Sequence, residues 1–269
     1  MSSRTEDTGY VDVLMYHSIS SEPGPTSIPV STFREQMQSL SDCGCTVVPF
    51  SRFAAWQRRE VSLPARAVML TFDDGFADFA DAAFPILDAH GYTATVFLPT
   101  GRLGGREDWY GANAQPRPLM SWPTVKDLAA RGIDFGGHSV THADLTRLSA
   151  ADLNREVALS QAHIAEQLGK APTTFAPPYG HVNPSVLREV ALHAEVSAGT
   201  ELGRADRGSS PTDTPRIEMH YFRQGRLWRA YLNNRAGWYL RSRQLARALR
   251  TKILARVSGA APLTPLPKA

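Results

Sequence analysis

The sequence contains little cysteine and no long apolar run. Its two cysteines, Cys43 and Cys45, are separated by one glycine. That spacing rarely forms a disulfide and makes a poor zinc site, so we interpret both as ordinary thiols. No segment approaches the roughly 18 consecutive apolar residues of a membrane-spanning helix. The first residues lack the basic and apolar regions of a secretory signal, and we therefore expect a cytoplasmic protein.

Acidic residues are absent from the last part of the chain, after Glu218. Eleven lysines and arginines follow that residue in a chain of net charge +3, which leaves a charge of −8 for the first 218 residues. Because the larger part is acidic and contains no recognised nucleic-acid-binding module, we expect no nucleic-acid partner.

The basic segment has the pattern of a helix from about Trp238 to Val257. Leu245, Leu249 and Ile253 lie on one apolar stripe of this helix, and several arginines occupy another face. One interpretation docks the stripe on the rest of the protein and leaves the basic side in solvent. The other places the helix against anionic lipid, as a peripheral membrane contact, or against a phosphorylated substrate.

Short apolar strands alternate with helical patterns along most of the chain. One helix is expected to begin at the cap Ser31 and to end at Gly44, and a longer one to run from the cap Ser149 to Gly169. Alternation over about seven such units predicts an α/β protein with a parallel sheet, either open or closed into a barrel.

The same pattern predicts a single main domain over residues 10–222, without a linker-like break inside it. A flexible N-terminus precedes it at residues 1–9. The basic helical segment follows at 223–257, and the Pro-containing stretch 258–269 is expected to be a disordered tail.

Two adjacent carboxylates, Asp73 and Asp74, follow the strand AVMLTF and precede Gly75. Like charges side by side repel, and placing them at the end of a buried strand costs desolvation free energy. A turn or cap is the plain interpretation, since Asp and Gly both favour such positions. Adjacent strand residues point to opposite faces, so the chain must turn here to bring both carboxylates inward, which suits Gly75.

Two histidines, His138 and His142, follow a second strand end in the stretch DFGGHSVTH. On one helical turn, residues four apart face the same way, and two such imidazoles can bind one metal ion. A solvated or hydrogen-bonded pair of histidines is the alternative interpretation of this spacing alone.

The two motifs together point to a metal site. Each motif comes just after a strand of the parallel α/β pattern, so both are expected to project at the same rim. Two histidines and one carboxylate leave a fourth coordination position open, as in catalytic zinc sites. A divalent cation also offsets the repulsion between the aspartates. One aspartate can then coordinate the ion while its neighbour acts as a base for the bound water.

Four stretches in this order, TFDDGFADFADAAFPIL, FLPTG, GGHSVTHADLTRLS and TFAPPYG, resemble the polysaccharide deacetylase family. This family is also known as the NodB-homology group or carbohydrate esterase family 4. The resemblance runs from about Val13 to Arg216. It implies a distorted TIM-like (β/α)7 barrel, a zinc-type divalent metal, and removal of N-acetyl groups from amino sugars.

The resemblance also implies roles for individual residues. Carried over position by position, Asp74, His138 and His142 would bind the metal, and Asp73 would be the general base. The backbone N–H of Tyr179, in PPYG, is then expected to hold the oxyanion of the tetrahedral intermediate.

The chain departs from the family pattern at two points. The arginine that opens the third family motif is replaced by Ala176, and Arg216 in TPRIEMH is a candidate substitute for orienting the base. The late histidine that serves as general acid has no clear counterpart. His220 is the best candidate for it, and a surface histidine at a strand end is the alternative.

Three further residues near the expected rim have two interpretations each. His17, at the end of the first strand, lines the site or makes a structural hydrogen bond. Trp109 and Tyr110, in a long loop, stack on a sugar ring or pack the loop onto the barrel.

The sequence therefore predicts a metal-dependent carbohydrate N-deacetylase. Its substrate is expected to be an acetylated amino sugar, free, polymeric, or linked to a nucleotide or lipid. The alternatives are a catalytically silent carbohydrate-binding relative and a hydrolase of a non-sugar amide bond.

Overall fold

The computed structural model describes residues 9–22, 26–109 and 116–258, with side chains described up to residue 249. Strands and helices alternate through these residues. The strands are β1 (Tyr10–Tyr16), β2 (Thr46–Val47), β3 (Ala67–Phe72), β4 (Thr95–Leu98), β5 (Asp134–Gly137), β6 (Thr174–Phe175), β7 (Val196–Leu202), β8 (Ala205–Asp206) and β9 (Thr214–Glu218). The α-helices are α1 (Val30–Asp42), α2 (Phe53–Gln57), α3 (Phe84–Ala89), α4 (Trp122–Ala130), α5 (Ala150–Leu168), α6 (Pro184–His193), α7 (Gly225–Leu232) and α8 (Gly237–Ser258).

Seven parallel strands form a closed barrel in the order β1, β3, β4, β5, β6, β7 and β9, with β9 pairing back to β1. Leu14 of β1 lies opposite Leu70 of β3 on one side and Ile217 of β9 on the other. The short strand β2 adds to β3, and β8 pairs antiparallel with the start of β1. The predicted (β/α)7 barrel is confirmed, and the C-terminal ends of its parallel strands share one rim.

Alternate residues of the barrel strands belong to two different cores. Val13 and Met69 lie in the cluster that fills the barrel, whereas Leu14 and Leu70 lie in the larger cluster beneath the helices. Thr71 follows Met69 on the inner face of β3, so the inner face becomes polar toward the rim.

Helix ends agree with the sequence pattern in one helix and not in another. The side chain of Ser149 accepts the N–H of Asp152 at the start of α5, and Gly169 ends this helix with φ +71°. Ser31 does not cap α1, because that helix begins one residue earlier, at Val30. Pro29 occupies the N-cap position instead, where its fixed φ of −58° leads the chain into the helix.

Helix α7 contributes to the main core, although it belongs to the basic segment. Trp228, Tyr231 and Leu232 are buried in the cluster beneath the helices. The Trp228 indole donates to the backbone oxygen of Gln36 in α1, and the Tyr231 hydroxyl donates to Asp12 at 3.0 Å. The boundary at residue 222 stays a prediction, as does the location of the protein in the cell.

Helix α8 docks through a different face from the one expected. Leu240 is buried, and the Tyr239 hydroxyl donates to the backbone oxygen of Tyr221. Leu245 and Leu249 of the predicted apolar stripe are 73% and 61% exposed. The interpretation in which this stripe packs on the rest of the protein is therefore wrong for both residues. Within the described ranges, every helix is too short or too polar to span a lipid bilayer. Peripheral membrane contact stays a prediction.

Candidate metal centre

The turn after β3 separates the two adjacent carboxylates. Asp74 and Gly75 both adopt positive φ angles, +72° and +65°. A Cβ atom at Gly75 would lie 2.9 Å from the side chain of Leu98, so the site favours glycine for space as well as for conformation. The Asp73 amide donates to the backbone oxygen of Tyr16 in β1 and keeps Asp73 in line with the strand. Asp73 therefore faces the barrel interior, while Asp74 turns toward β5.

The two histidines converge through a tight loop and not through a helical turn. His138 follows directly on β5, and Ser139 and His142 have φ angles of +62°. The His142 amide donates to the hydroxyl of Ser139 at 2.9 Å. Glu156 of α5 accepts the amides of Val140 and Thr141 at 2.8 and 2.9 Å. The helical geometry expected from the spacing is wrong, because these contacts fix a loop with left-handed residues.

Asp74, His138 and His142 bring three metal-ligating atoms together. The Nε2 atoms of His138 and His142 lie 3.3 and 3.1 Å from Oδ1 of Asp74, and one ligand atom from each residue lies within 4.8 Å of the others. All three side chains are buried. The other carboxylate oxygen, Oδ2 of Asp74, is buried and has no hydrogen-bond partner among the described residues. A buried carboxylate oxygen without a donor fits a cation, which would satisfy it.

The backbone sets the orientation of one of these histidines. Nδ1 of His138 donates to the backbone oxygen of Ala176, at 2.5 Å, after β6. This hydrogen bond leaves the lone pair on Nε2, the atom nearest Asp74, and metal-binding histidines commonly have such a second contact. Ala176, which stands where the family has arginine, thus serves the centre through its backbone.

The charges of the centre favour the forms that bind metal. Burial raises the pKa of the Asp74 carboxyl, but the adjacent imidazoles of His138 and His142 outweigh it and hold the pKa well below its ordinary value. Burial lowers the pKa of His142, against the opposing effect of Asp74. The carboxylate is therefore anionic and His142 tends to be neutral, as metal ligands must be.

Arg216 holds the neighbouring carboxylate in a two-pronged ion pair. Its Nη1 and Nη2 atoms donate to the two oxygens of Asp73, both at 2.7 Å. The guanidinium is almost fully buried and also donates to Thr71 and to the backbone oxygen of Gly199. Burial raises the pKa of Asp73, but the charge and hydrogen bonds of Arg216 outweigh it and lower the pKa below its ordinary value. The expected contact between Arg216 and the base candidate is confirmed.

His17, and not His220, is the further histidine in contact with Asp73. Nε2 of His17 lies 3.8 Å from Oδ2 of Asp73, and the side chain is partly exposed. His17 follows β1, which pairs with β3, so strand order alone placed it beside the aspartates. The charges that act on His220 are those of Arg223, Glu218 and Arg243. Among the described residues His220 makes no contact with Asp73. Its role as general acid therefore stays a prediction.

Aromatic rings enclose His142 on two sides. The Trp109 indole stacks on the His142 imidazole, with ring centres 4.0 Å apart. This contact agrees with the interpretation in which Trp109 packs its loop onto the barrel. Tyr179 meets the imidazole edge-on at 4.7 Å and is 44% exposed, with φ +61°. Tyr110 lies outside the described residues. The centre thus lies just below the surface, with the Tyr179 ring at its outer side.

Known proteins resemble the chain in sequence and in fold. The family model for polysaccharide deacetylase matches residues 60–197. YxkH of Bacillus subtilis is 24% identical over 232 residues, which cover 86% of this chain and 79% of YxkH. The peptidoglycan-N-acetylglucosamine deacetylase PgdA of Listeria monocytogenes is 30% identical over 128 residues, 47% of this chain and only 24% of PgdA.

Structural similarity extends over most of the barrel. The Streptococcus pyogenes deacetylase PplD, solved in complex with acetate, superposes with a TM-score of 0.69 and 24% identity, covering 78% of this chain and 92% of PplD. The family model covers half of the chain, and its match includes both aspartates and both histidines of the centre. The chain belongs to the polysaccharide deacetylase family, whose members are hydrolases that remove acetyl groups from carbohydrates.

Proposed function

We propose that this protein is a metal-dependent N-deacetylase of an acetylated amino sugar. The observation that carries the proposal is the pairing of two differently held carboxylates. Asp74 faces two histidine nitrogens through Oδ1, while its Oδ2 has no hydrogen-bond partner among the described residues, and Arg216 clamps the neighbouring Asp73. One carboxylate is thus built to bind a cation and the other to stay ionised and oriented, which is what hydrolysis by an activated water requires.

Asp74, His138 and His142 would hold the metal, for which two imidazoles and a carboxylate suit zinc. When bound, a divalent metal lowers the pKa of water and polarises an amide carbonyl. The chain's own contribution is a rigid set of ligands. The Ala176 backbone oxygen orients His138, and the Ser139 hydroxyl anchors the His142 amide.

Asp73 is proposed as the general base. It would accept a proton from the attacking water, a role generally worth about 10²–10⁴ in rate. Arg216 holds both carboxylate oxygens, so the base cannot rotate away, and its low pKa keeps it ionised at neutral pH. This ion pair performs the orienting role of the missing third-motif arginine from a different strand, β9.

His17 is proposed as the general acid, in place of His220. It lies on the Asp73 side of the centre and its side chain reaches solvent. From there Nε2 would give a proton to the leaving nitrogen as the C–N bond breaks, so that acetate and a neutral amine are formed. The backbone N–H of Tyr179 is proposed to hold the carbonyl oxygen of the intermediate.

The proposed substrate class is a carbohydrate that contains N-acetylglucosamine. PgdA is named for its action on peptidoglycan N-acetylglucosamine, and it is 30% identical to this chain over 128 residues. The Tyr179 ring, exposed beside His142, provides an aromatic face of the kind on which sugar rings pack.

An acetate-release screen tests this function. Purified protein loaded with Zn²⁺ is incubated with N-acetylglucosamine oligomers, peptidoglycan fragments, nucleotide-linked N-acetylglucosamine and a simple non-sugar acetamide. We expect release from at least one sugar, and loss of at least about 10²-fold in kcat for Asp73→Asn, which keeps the shape but not the base. Sugar binding without release would identify a silent carbohydrate-binding relative. Release from the acetamide alone would identify an amide hydrolase of another kind.

A further inference from the structure

A cavity lies on the same rim of the barrel as the metal centre. It has a volume of about 470 Å³, within the range of about 300–1,000 Å³ typical of small-molecule sites. It lies between the turn after β9 and helix α8. We call it the basic pocket, and its polar lining consists of His220, Tyr221, Arg223, Gln224, Tyr239 and Arg243. Because β9 runs parallel to β3, the turn after it lies at the rim that carries Asp73 and Asp74.

The two arginines of the basic pocket make no ion pair with the described residues. Among the described residues, neither Arg223 nor Arg243 has a carboxylate within salt-bridge distance. The Glu218 carboxylate accepts the backbone N–H of His220 at 3.1 Å. Nδ1 of His220 is buried without a hydrogen-bond partner in the part of the chain that the structure describes. Three basic groups thus converge with one of their nitrogens unsatisfied.

The docking of α8 holds Arg243 in place beside the turn after β9. The Arg243 guanidinium lies over the Tyr221 ring, 4.2 Å from its centre, and the Tyr239 hydroxyl donates to the Tyr221 backbone at 2.9 Å. The Gln36 side chain donates to the backbone oxygen of Phe222, at 3.1 Å, from below. Pre-positioned charges lose less side-chain entropy on binding a ligand than freely moving ones do.

We propose that the basic pocket binds a phosphoryl group. Guanidinium groups match phosphate oxygens with paired hydrogen bonds, and the His220 imidazole, the Gln224 amide and the Tyr221 hydroxyl supply further donors. The group would be part of a soluble phosphate ester or of a lipid headgroup. Binding of a phosphoryl group to the basic pocket is independent of the proposed function. The idea that this group is part of the substrate rests on the proposed function.

NMR titration of His220 with inorganic phosphate tests the proposal. Burial, together with the charges of Arg223 and Arg243, lowers the pKa of His220 and outweighs Glu218. A bound anion would offset these charges, so we expect the His220 pKa to rise with saturable dependence on phosphate and not on chloride. His220→Asn identifies the resonance. This readout distinguishes the pocket from the metal centre, where phosphate would leave His220 unchanged.

Matched charge variants provide the control. Arg223→Gln/Arg243→Gln should weaken phosphate binding by at least about tenfold, since each removes charge-assisted hydrogen bonds. Arg226→Gln/Arg241→Gln removes the same charge from exposed positions outside the pocket and should bind phosphate as the unaltered protein does. Arg223→Gln alone, which leaves the contact of Arg243 with Tyr221 intact, should weaken binding even where the double variant unfolds.

Sedimentation with vesicles identifies the source of the phosphoryl group. Pelleting with phosphatidylglycerol but not phosphatidylcholine, lost in Arg223→Gln/Arg243→Gln and kept in the control pair, would assign a lipid headgroup. Phosphate binding without pelleting would assign a soluble ester. An unresponsive His220, or equal phosphate affinity in the two double variants, would overturn the proposal. Neither result bears on acetate release, which is measured separately with unphosphorylated oligomers.

Discussion

Replacement of Arg216 by glutamine should both destabilise the protein and disable Asp73, the proposed general base. The guanidinium is buried and makes four hydrogen bonds, two of them to Asp73. Removing one partner of a buried ion pair costs about 3–5 kcal/mol, because the other charge is left uncompensated. For a chain of this size, that loss lowers the melting temperature by about 6–20 °C. Urea unfolding in the presence of a chelator measures the effect on the metal-free protein.

A double-mutant cycle isolates the pair. Asp73→Asn leaves the buried guanidinium uncompensated and should destabilise as well, whereas the double variant removes both charges. We expect the double variant to be more stable than the sum of the single losses predicts, by about 0.5–3 kcal/mol. Arg216→Lys keeps the charge without the fork and should fall between the native protein and Arg216→Gln.

The stability difference should also depend on pH. The folded pKa of Asp73 is lowered, so the ion pair contributes stability above the unfolded pKa of about 3.9 and loses it as the pH falls through the folded pKa. The cost of Arg216→Gln should therefore be largest near neutral pH and shrink at acidic pH. Additive single losses, or a cost that does not change with pH, would refute the role of this ion pair.

Two further substitutions test the site and the docking of α8. His17→Asn should lower kcat by about 10²-fold or more if His17 protonates the leaving nitrogen. The control His90→Asn, at the opposite end of the barrel, should leave kcat unchanged. Equal kcat values for the two variants would remove His17 from the mechanism. Leu240→Ala should cost about 2–5 kcal/mol in urea unfolding because Leu240 is buried, and Leu245→Ala, on the exposed face, should cost no more than about 0.5 kcal/mol. The reverse order would restore the apolar stripe as the docking face.

Sequence patterns predicted the parallel α/β sheet because both of its periodicities are local, and the family resemblance implied that the sheet closes into a barrel. Strand and helix patterns repeat along the chain, and parallel strands then require their ends to share a rim. The motif around Asp73 and Asp74 was informative for the same reason, since two carboxylates after a buried strand demand a partner. Arg216 was identified from its position near a late strand, and its contact with Asp73 follows from β9 closing the barrel beside β1.

Features that depend on pairing between distant segments were predicted only in part. A place for His17 at the rim was one of two interpretations, but its contact with Asp73 arises because β1 lies next to β3, which local patterns do not encode. The loop of His138 and His142 was taken for a helical turn, since spacing by four residues does not reveal positive φ angles. The face of α8 that docks was misassigned, because Leu240 and its neighbours mix apolar and polar residues and the clearer stripe faces outward.

Metal titration of the apoprotein tests the central claim most directly. The chelated protein is titrated with Zn²⁺, while metal content and acetate release from the best sugar substrate are measured on the same samples. We expect release to rise in proportion to bound zinc and to level off at one ion per chain, and His142→Ala to lose both binding and release. Full acetate release by metal-free protein, or zinc that binds equally well to His142→Ala, would contradict a metal held by Asp74, His138 and His142.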